Sequence, residues 1–409
     1  MNPPRAPLRP LDDALAELLS HATPLAETES VSTFDALGRV LAQDLVSALQ
    51  VPPQDNSSMD GYAVRASDVA QPGAVLRVSQ RIPAGASPEP LQPGTTARIF
   101  TGAPVPEGAD AIVMQEDTEA AGEHVVRFVR PPKPGDWIRR SGEDVRRGAV
   151  VLARGERLGA AALGLAASIG LPRLDVTRRP RVALFSTGDE LVMPGEVPPE
   201  RMRPGAIFNS NRFFLSALLR SLECEVTDFG IVPDQRHVTV RALMEASAGH
   251  DLILTSGGVS VGEEDHIKPA VQQLGSLDLW QIAIKPGKPF AYGRVQDAHF
   301  MGLPGNPVSS FVTFLLLVRP FLLKLQGATQ LAPRPVEMPA HFDWPKADKR
   351  REFLRVRRNG NGALELFPNQ SSGVLTSAVW ADGLVDNPPG RTIAVGDTVS
   401  FIPLSELLA

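Results

Sequence analysis

Between Asp251 and Lys268 the chain reads DLILTSGGVSVGEEDHIK, an apolar strand that stops at Ser256-Gly257-Gly258 and then delivers Glu263-Glu264-Asp265. A glycine pair has no Cβ to hold a ligand away, so its backbone N–H groups can meet an anion directly. Carboxylate oxygens are the ligands of a hard divalent cation, and phosphate with Mg²⁺ is a common pairing. Two further segments point the same way: Ile284 to Gly293 reads IKPGKPFAYG, and Gly302 to Phe314 reads GLPGNPVSSFVTF. Each reads as a loop leaving a strand. The first presents Lys285 and Lys288 from a turn stiffened by proline. The second opens an apolar helix, with Asn306 at the N-cap and Pro307 at the first helical position, and aims backbone N–H groups at the same region. Taken singly, these are a tight turn, two solvated lysines and a helix start. Following successive strands of one region they converge, because the ligand crevice of an open α/β sheet lies at the carboxyl ends of its strands. The chemistry expected there is that of phosphate or another oxyanion with a divalent metal.

The elements that must position these loops follow from periodicity. From Arg181 strand and helix alternate: Val182 to Ser186, Asn209 to Leu222, Glu225 to Val232, Gln235 to Ser247, Leu252 to Thr255, Asp265 to Leu274, Leu277 to Lys285, His299 to Leu303 and Pro307 to Leu325. Such alternation implies a doubly wound, mostly parallel sheet. Upstream, Pro10 to Ala22 and Asp35 to Val46 carry helical spacing. Asp55 to Pro134 breaks into short β-rich runs, Val75 to Ile82, Ala97 to Thr101, Ala111 to Gln115 and His124 to Val129. An Ala-rich helix from Leu158 to Ile169, expected to pack on the N-terminal helices, makes the β region an insertion. After Ala332-Pro333-Arg334-Pro335 the tail is β again, with a hairpin across Asn359 to Gly362 and room for a small closed barrel.

The fold expected is therefore multidomain α/β plus β. A helical N-terminal domain takes 1–54 and 135–178, an inserted β-rich domain 55–134, a doubly wound α/β substrate-binding domain 179–331, and a small β-barrel 332–409.

Composition narrows the function classes. A chain of 409 residues has room for several cores. Its net charge of −5, without a Lys/Arg block, argues against nucleic acid as a partner. The start MNPPRAPLRPLDD has no apolar h-region, and the apolar run Phe311 to Leu323 reads as a core helix rather than a membrane span. A cytoplasmic protein is expected. The lone Cys224 rules out a disulfide framework and reads as a packing residue.

DNSSMDGYAV at Asp55 to Val64, TGAPVPEGADAIVMQE at Thr101 to Glu116, STGDEL at Ser186 to Leu191, TSGGVSVGEED, IKPGKPFAYG and GLPGNPVSS together resemble the MoeA family, the molybdopterin molybdenumtransferases, to which the gephyrin E domain belongs. The resemblance runs in order along almost the whole chain. It implies an enzyme that inserts molybdate into adenylylated molybdopterin with Mg²⁺-dependent release of AMP. It also implies a homodimer with a cleft shared between subunits, and contact with molybdopterin adenylyltransferase and apo-molybdoenzymes. By motif position it assigns Asp265, Asp234 and Glu190 to metal or catalysis, and Asp60, Thr101 and Asp144 to catalysis. For substrate it implies Ser256, Gly257, Gly258, Lys285, Lys288, Pro304, Asn306, Arg351, Arg355 and Ser372. From the residues alone, Asp189-Glu190 could equally be a helix N-cap pair. His266 stands where many members carry Tyr and reads as a spacer, and Ser371 stands where glycine is frequent. The alternatives are a molybdopterin adenylyltransferase, which the β tail and DNSSMDGYAV argue against, and a non-catalytic scaffold.

Overall fold

Val182 to Phe185 and Leu252 to Leu254 are buried without alternation, which requires strands covered on both faces. The computed structural model, which describes residues 8–233, 235–258 and 266–408, sets them at the centre of a six-stranded sheet. Its order is Glu225–Val232, Arg181–Thr187, Leu252–Ser256, Ala298–Leu303, Pro289–Val295 and Gly275–Gln281. Pairing among the first four is parallel, and the last two strands run antiparallel. Successive side chains then separate into two cores. Val182, Leu184, Leu252 and Leu254 face helices Asn211–Ser221 and Pro307–Leu325, while Ala183, Phe185 and Ile253 face Arg236–Ser247 and Ile267–Leu274. That division is the strand period of two acting on an all-apolar sequence.

The Pro307–Leu325 helix is long and apolar enough to cross a membrane by length and composition, yet 89% of it is buried inside the protein. It is the floor on which the parallel strands lie. Its middle turn, Phe314–Val318, is π-wound just ahead of Pro320, a residue with no N–H for the helical ladder.

Several sequence expectations change. Asp35 to Val46 is not helical: it holds the end of a 3-10 turn, Thr33–Asp35, and a short strand, Leu45–Val46. Gly38 turns the chain at φ +77°, and the N–H groups of Gly38, Leu41 and Ala42 donate to the carbonyls of Leu158, Glu156 and Asp175. Long-range partners thus take the donors that a helix would use. The Ala160–Ser168 helix packs on this turn region through Ala36, Leu41, Leu158 and Ala166. It does not pack on Leu11–Ser20, whose Leu11, Ala14 and Leu18 insert into the central core. With Thr28–Ser32 paired antiparallel to Arg173–Thr177 as well, the N-terminal region is mixed rather than helical. In IKPGKPFAYG only the centre is a loop, because Pro289–Val295 is a strand buried on both faces.

The insertion forms a second six-stranded sheet, in the order Ala111–Met114, Gly61–Val64, Thr95–Ile99, Val75–Ile82, Val125–Phe128 and Thr118–Gly122. In the tail, Arg351–Arg358 pairs with Leu364–Leu366 and Gly383–Asn387, which continue to Thr398–Pro403 and Val336–Pro339. A single bridge, Ala340 to Leu364, ties the two ends of that path together. The expected hairpin is present, and the Asn359 side chain accepts from the N–H groups of Asn361 and Ala363 at 3.0 Å each. Ile284–Lys285 leaves the central module and pairs parallel with Arg351–Arg358, stitching the tail onto it.

Candidate functional site

The carboxyl ends of three central strands, Arg181–Thr187, Leu252–Ser256 and Ala298–Leu303, open into a cavity of about 720 Å³. Thr187, Gly188, Glu190, Asn209 to Asn211, Ser256 to Gly258, Ile267, Pro289, Pro304 to Pro307, Ser309 and Gly373 contribute to its wall. Six residues expected at a site from the sequence, Glu190, Ser256, Gly257, Gly258, Pro304 and Asn306, meet here.

Gly257 and Gly258 adopt φ of +93° and +68°. A Cβ on Gly257 would lie 2.7 Å from the Thr187 carbonyl oxygen, and one on Gly258 would lie 2.8 Å from Ile267. Backbone angle and space both demand glycine. Of the two N–H groups expected to be bare, that of Gly257 donates to the Leu303 carbonyl at 3.1 Å and so extends the sheet. The Gly258 N–H has no acceptor among the described residues.

Two buried polar atoms on the wall, Thr187 Oγ1 and Asn209 Nδ2, make no hydrogen bond among the described residues. An unpaired buried donor costs about 1–3 kcal/mol, and such a cost at a cavity wall suits a ligand rich in oxygen acceptors. Asn209 and Asn211 were not singled out in the sequence. The available signal was an Asn-Ser-Asn run at the start of an apolar helix. Asn306 occupies the N-cap position before Pro307, but its side chain makes no capping bond.

Among the described residues Glu190 is the only carboxylate on the wall. It lies in a turn ahead of the Leu191–Val192 strand, so the helix N-cap alternative does not apply. Asp234 and Asp265 lie outside the described residues. His266 precedes the Ile267–Leu274 helix and makes no capping bond. No group of three or more His, Cys, Asp or Glu with metal-binding geometry occurs among the described residues.

The lysines divide. Lys285 Nζ is 2.9 Å from the buried Glu352 and 3.4 Å from Asp348, and lies over the Trp344 ring. It is an ion-paired link to the tail. The Asp348 carboxyl is held well below its usual range by the Arg350 side chain, and Lys285 adds to this. Lys288, beside the wall residue Pro289, pairs with no carboxylate among the described residues.

Arg351 is likewise engaged: its guanidinium grips Asp386 in two bonds of 2.6 and 2.5 Å and reaches Asp12 at 2.9 Å. Arg355 is buried, with its side chain on Ser377 Oγ and the Phe353 and Ser371 carbonyls. Burial pulls its pKa down to about 10. The Ser372 carbonyl accepts from Val308 N–H at 2.9 Å, which seats the 371–373 loop on the helix start and brings Gly373 to the wall.

In the inserted sheet Asp60 Oδ1 accepts from both the N–H and the hydroxyl of Thr101 at 2.8 Å. The Thr101 N–H, with its hydroxyl, holds the Asp60 carboxyl below its usual pKa. Asp144 borders a separate hollow of about 410 Å³ with Glu143 and Arg146. None of Asp60, Thr101 and Asp144 lines the central cavity.

Comparison with known proteins covers nearly the whole chain. Residues 9–170 match the MoeA N-terminal region (domain I and II), 183–324 a probable molybdopterin binding domain, and 337–404 the MoeA C-terminal region (domain IV). A molybdopterin molybdenumtransferase of Haemophilus influenzae is 39% identical over 97% of this chain and 99% of its own length. One from Nostoc is 37% identical over 92% of this chain and 89% of its own. The crystal structure of the molybdopterin biosynthesis moeA protein from Pyrococcus horikoshii superposes with a TM-score of 0.83 at 30% identity, covering 97% of this chain and all of that one. The chain belongs to the molybdopterin molybdenumtransferase (MoeA) family of molybdenum cofactor biosynthesis.

Proposed function

We propose that the protein inserts molybdenum from molybdate into adenylylated molybdopterin, with Mg²⁺-dependent release of AMP. The observation that carries this reading is the cavity at the sheet edge, where unpaired donors gather on a wall built from glycine and a helix start. Molybdate is a dianion and the pterin carries phosphates, so a competent site must hold mutually repelling oxygens together. Gly258 N–H, Thr187 and Asn209 supply donors on the wall, Lys288 stands next in sequence to the wall residue Pro289, and the Pro307–Leu325 helix begins on the same wall with the positive end of its dipole.

Glu190 lines the cavity, Asp265 stands two positions before the wall residue Ile267, and Asp234 stands two positions after the strand end Val232. Carboxylates suit Mg²⁺, and these three would hold it. When bound, the ion neutralises charge developing on the leaving phosphate. The chain's own donors orient that phosphate and the incoming oxyanion.

Asp60, Thr101 and Asp144 lie off the cavity of their own chain, which favours a homodimer whose cleft takes them from a second subunit. Substrate would arrive from molybdopterin adenylyltransferase and product pass to apo-molybdoenzymes, in the cytoplasm. The division proposed is 1–54 with 135–178, 55–134, 179–331 and 332–409; a six-stranded sheet in each of the last three units supports it, while the pairings of Asn56–Ser57 with Ile138–Arg139 and of Ile284–Lys285 with Arg351–Arg358 cross its boundaries.

The test supplies purified protein with adenylylated molybdopterin, molybdate and Mg²⁺. AMP release should depend on molybdate, and the product should activate an apo-molybdoenzyme. AMP release indifferent to molybdate would overturn the reading.

A further inference from the structure

Asn211 opens the Asn211–Ser221 helix and is 8% exposed. Its Nδ2 donates to Ser256 Oγ and to the Gly305 carbonyl, both at 2.7 Å. One primary amide thus spends both of its hydrogens across two loops: Ser256 to Gly258 after one strand, and Pro304 to Asn306 after its parallel neighbour. The first of those loops lies close against its neighbours, since a Cβ on Gly257 would meet the Thr187 carbonyl and one on Gly258 would meet Ile267. The second leads into the Pro307–Leu325 helix.

The bond to Ser256 also has a direction. An amide NH₂ can only donate, so Ser256 Oγ accepts and its own hydrogen turns elsewhere. Ser256 is 4% exposed and lines the cavity. Thr187 Oγ1 and Asn209 Nδ2, on the same wall, are buried without partners among the described residues. The Ser256 hydroxyl hydrogen therefore points away from Asn211, on a wall that also carries the Thr187 and Asn209 side chains.

We infer that Asn211 is a positioning residue of the oxyanion site: it clamps the two loops in register and turns the Ser256 hydroxyl proton toward the bound oxyanion. This rests on the reading of the cavity as the substrate site. With both amide hydrogens spent on Ser256 and Gly305, Asn211 acts through those two groups and not as a donor to substrate.

The informative variant is Asn211→Asp, which keeps size and shape but offers only acceptors. The carboxylate faces the Gly305 carbonyl without a proton between them and draws the Ser256 proton to itself. Equilibrium binding of adenylylated molybdopterin should weaken tenfold or more, with KM rising more than kcat falls. Ser256→Ala alone should weaken binding as well, and adding Asn211→Asp to it should cost at most twofold further. Full multiplication of the two effects, or binding by Asn211→Asp within twofold of wild type, overturns the inference. If Asn211→Asp does not fold, Asn211→Ser in the same cycle with Ser256→Ala decides by the same criterion. Wild-type protein that binds adenylylated molybdopterin without turning it over would sink the proposed reaction and leave this role of Asn211 standing.

Discussion

At the residue scale, close approach and pairing decide what each side chain can do. Gly258 sits at φ +68° with Ile267 where its Cβ would go. Gly258→Ala should destabilise the protein by about 1–2 kcal/mol in urea unfolding and weaken binding of adenylylated molybdopterin. Unchanged binding would show that the loop does not touch the ligand. Lys285 raises the opposite question, since its ammonium already serves Glu352, which is 1% exposed and otherwise accepts from Trp344 Nε1 and Asn387 Nδ2. Removing one partner of a buried pair leaves a desolvated charge behind. Lys285→Met should therefore lower stability by about 1–3 kcal/mol, read from urea unfolding. A variant that loses substrate affinity with stability intact would instead give Lys285 a ligand role.

At the scale of elements, the Ala298–Leu303 strand holds a titratable group away from the site. His299 is buried, with the Tyr292 hydroxyl 2.9 Å from its Nδ1, the Arg294 guanidinium against its ring, and His21 stacked on Tyr292. Burial first, and then Arg294, push its pKa from 6.5 down to about 4. The folded ring stays neutral where the unfolded one takes up a proton, so its contribution is complete above pH 6.5 and is lost as pH falls toward about 4. The unfolding free energy should decline across that window by something on the order of 3 kcal/mol, read as a falling melting temperature, and His299→Gln should flatten the decline. An unaltered slope in the variant would place the pH dependence elsewhere. Elements also show where local pattern misleads. Asp35 to Val46 has helical spacing, yet its donors find carbonyls from 156 to 175, and no window of sequence contains those partners.

At the scale of the whole molecule, a single chain leaves Asp60 and Thr101 bonded to each other off the central cavity. If a homodimer brings them to the partner's cleft, Asp60→Asn and Asp265→Asn should each be inactive alone. Co-expressed, they should recover roughly a quarter of wild-type turnover, because half of the dimers are mixed and each holds one intact cleft. No recovery in demonstrably mixed dimers would confine each site to one subunit. The tail and the central module are coupled as well, through the Ile284–Lys285 pairing and the Ser372 carbonyl on Val308 N–H. That coupling is how Gly373, far along the chain, reaches the wall.

The amino-acid sequence by itself determined the alternating module and the glycine turn at Ser256 to Gly258, because strand period, helix period and the demand for φ above zero are local properties. Its motifs, taken in order, carried the family. Only the tertiary structure decided that Lys285 and Arg351 are neutralised by carboxylates, that the first helix serves the central core, and that Asn211 bridges two loops. Those outcomes depend on which distant group occupies the remaining few ångströms around a side chain, a quantity set by packing and not by neighbours in sequence.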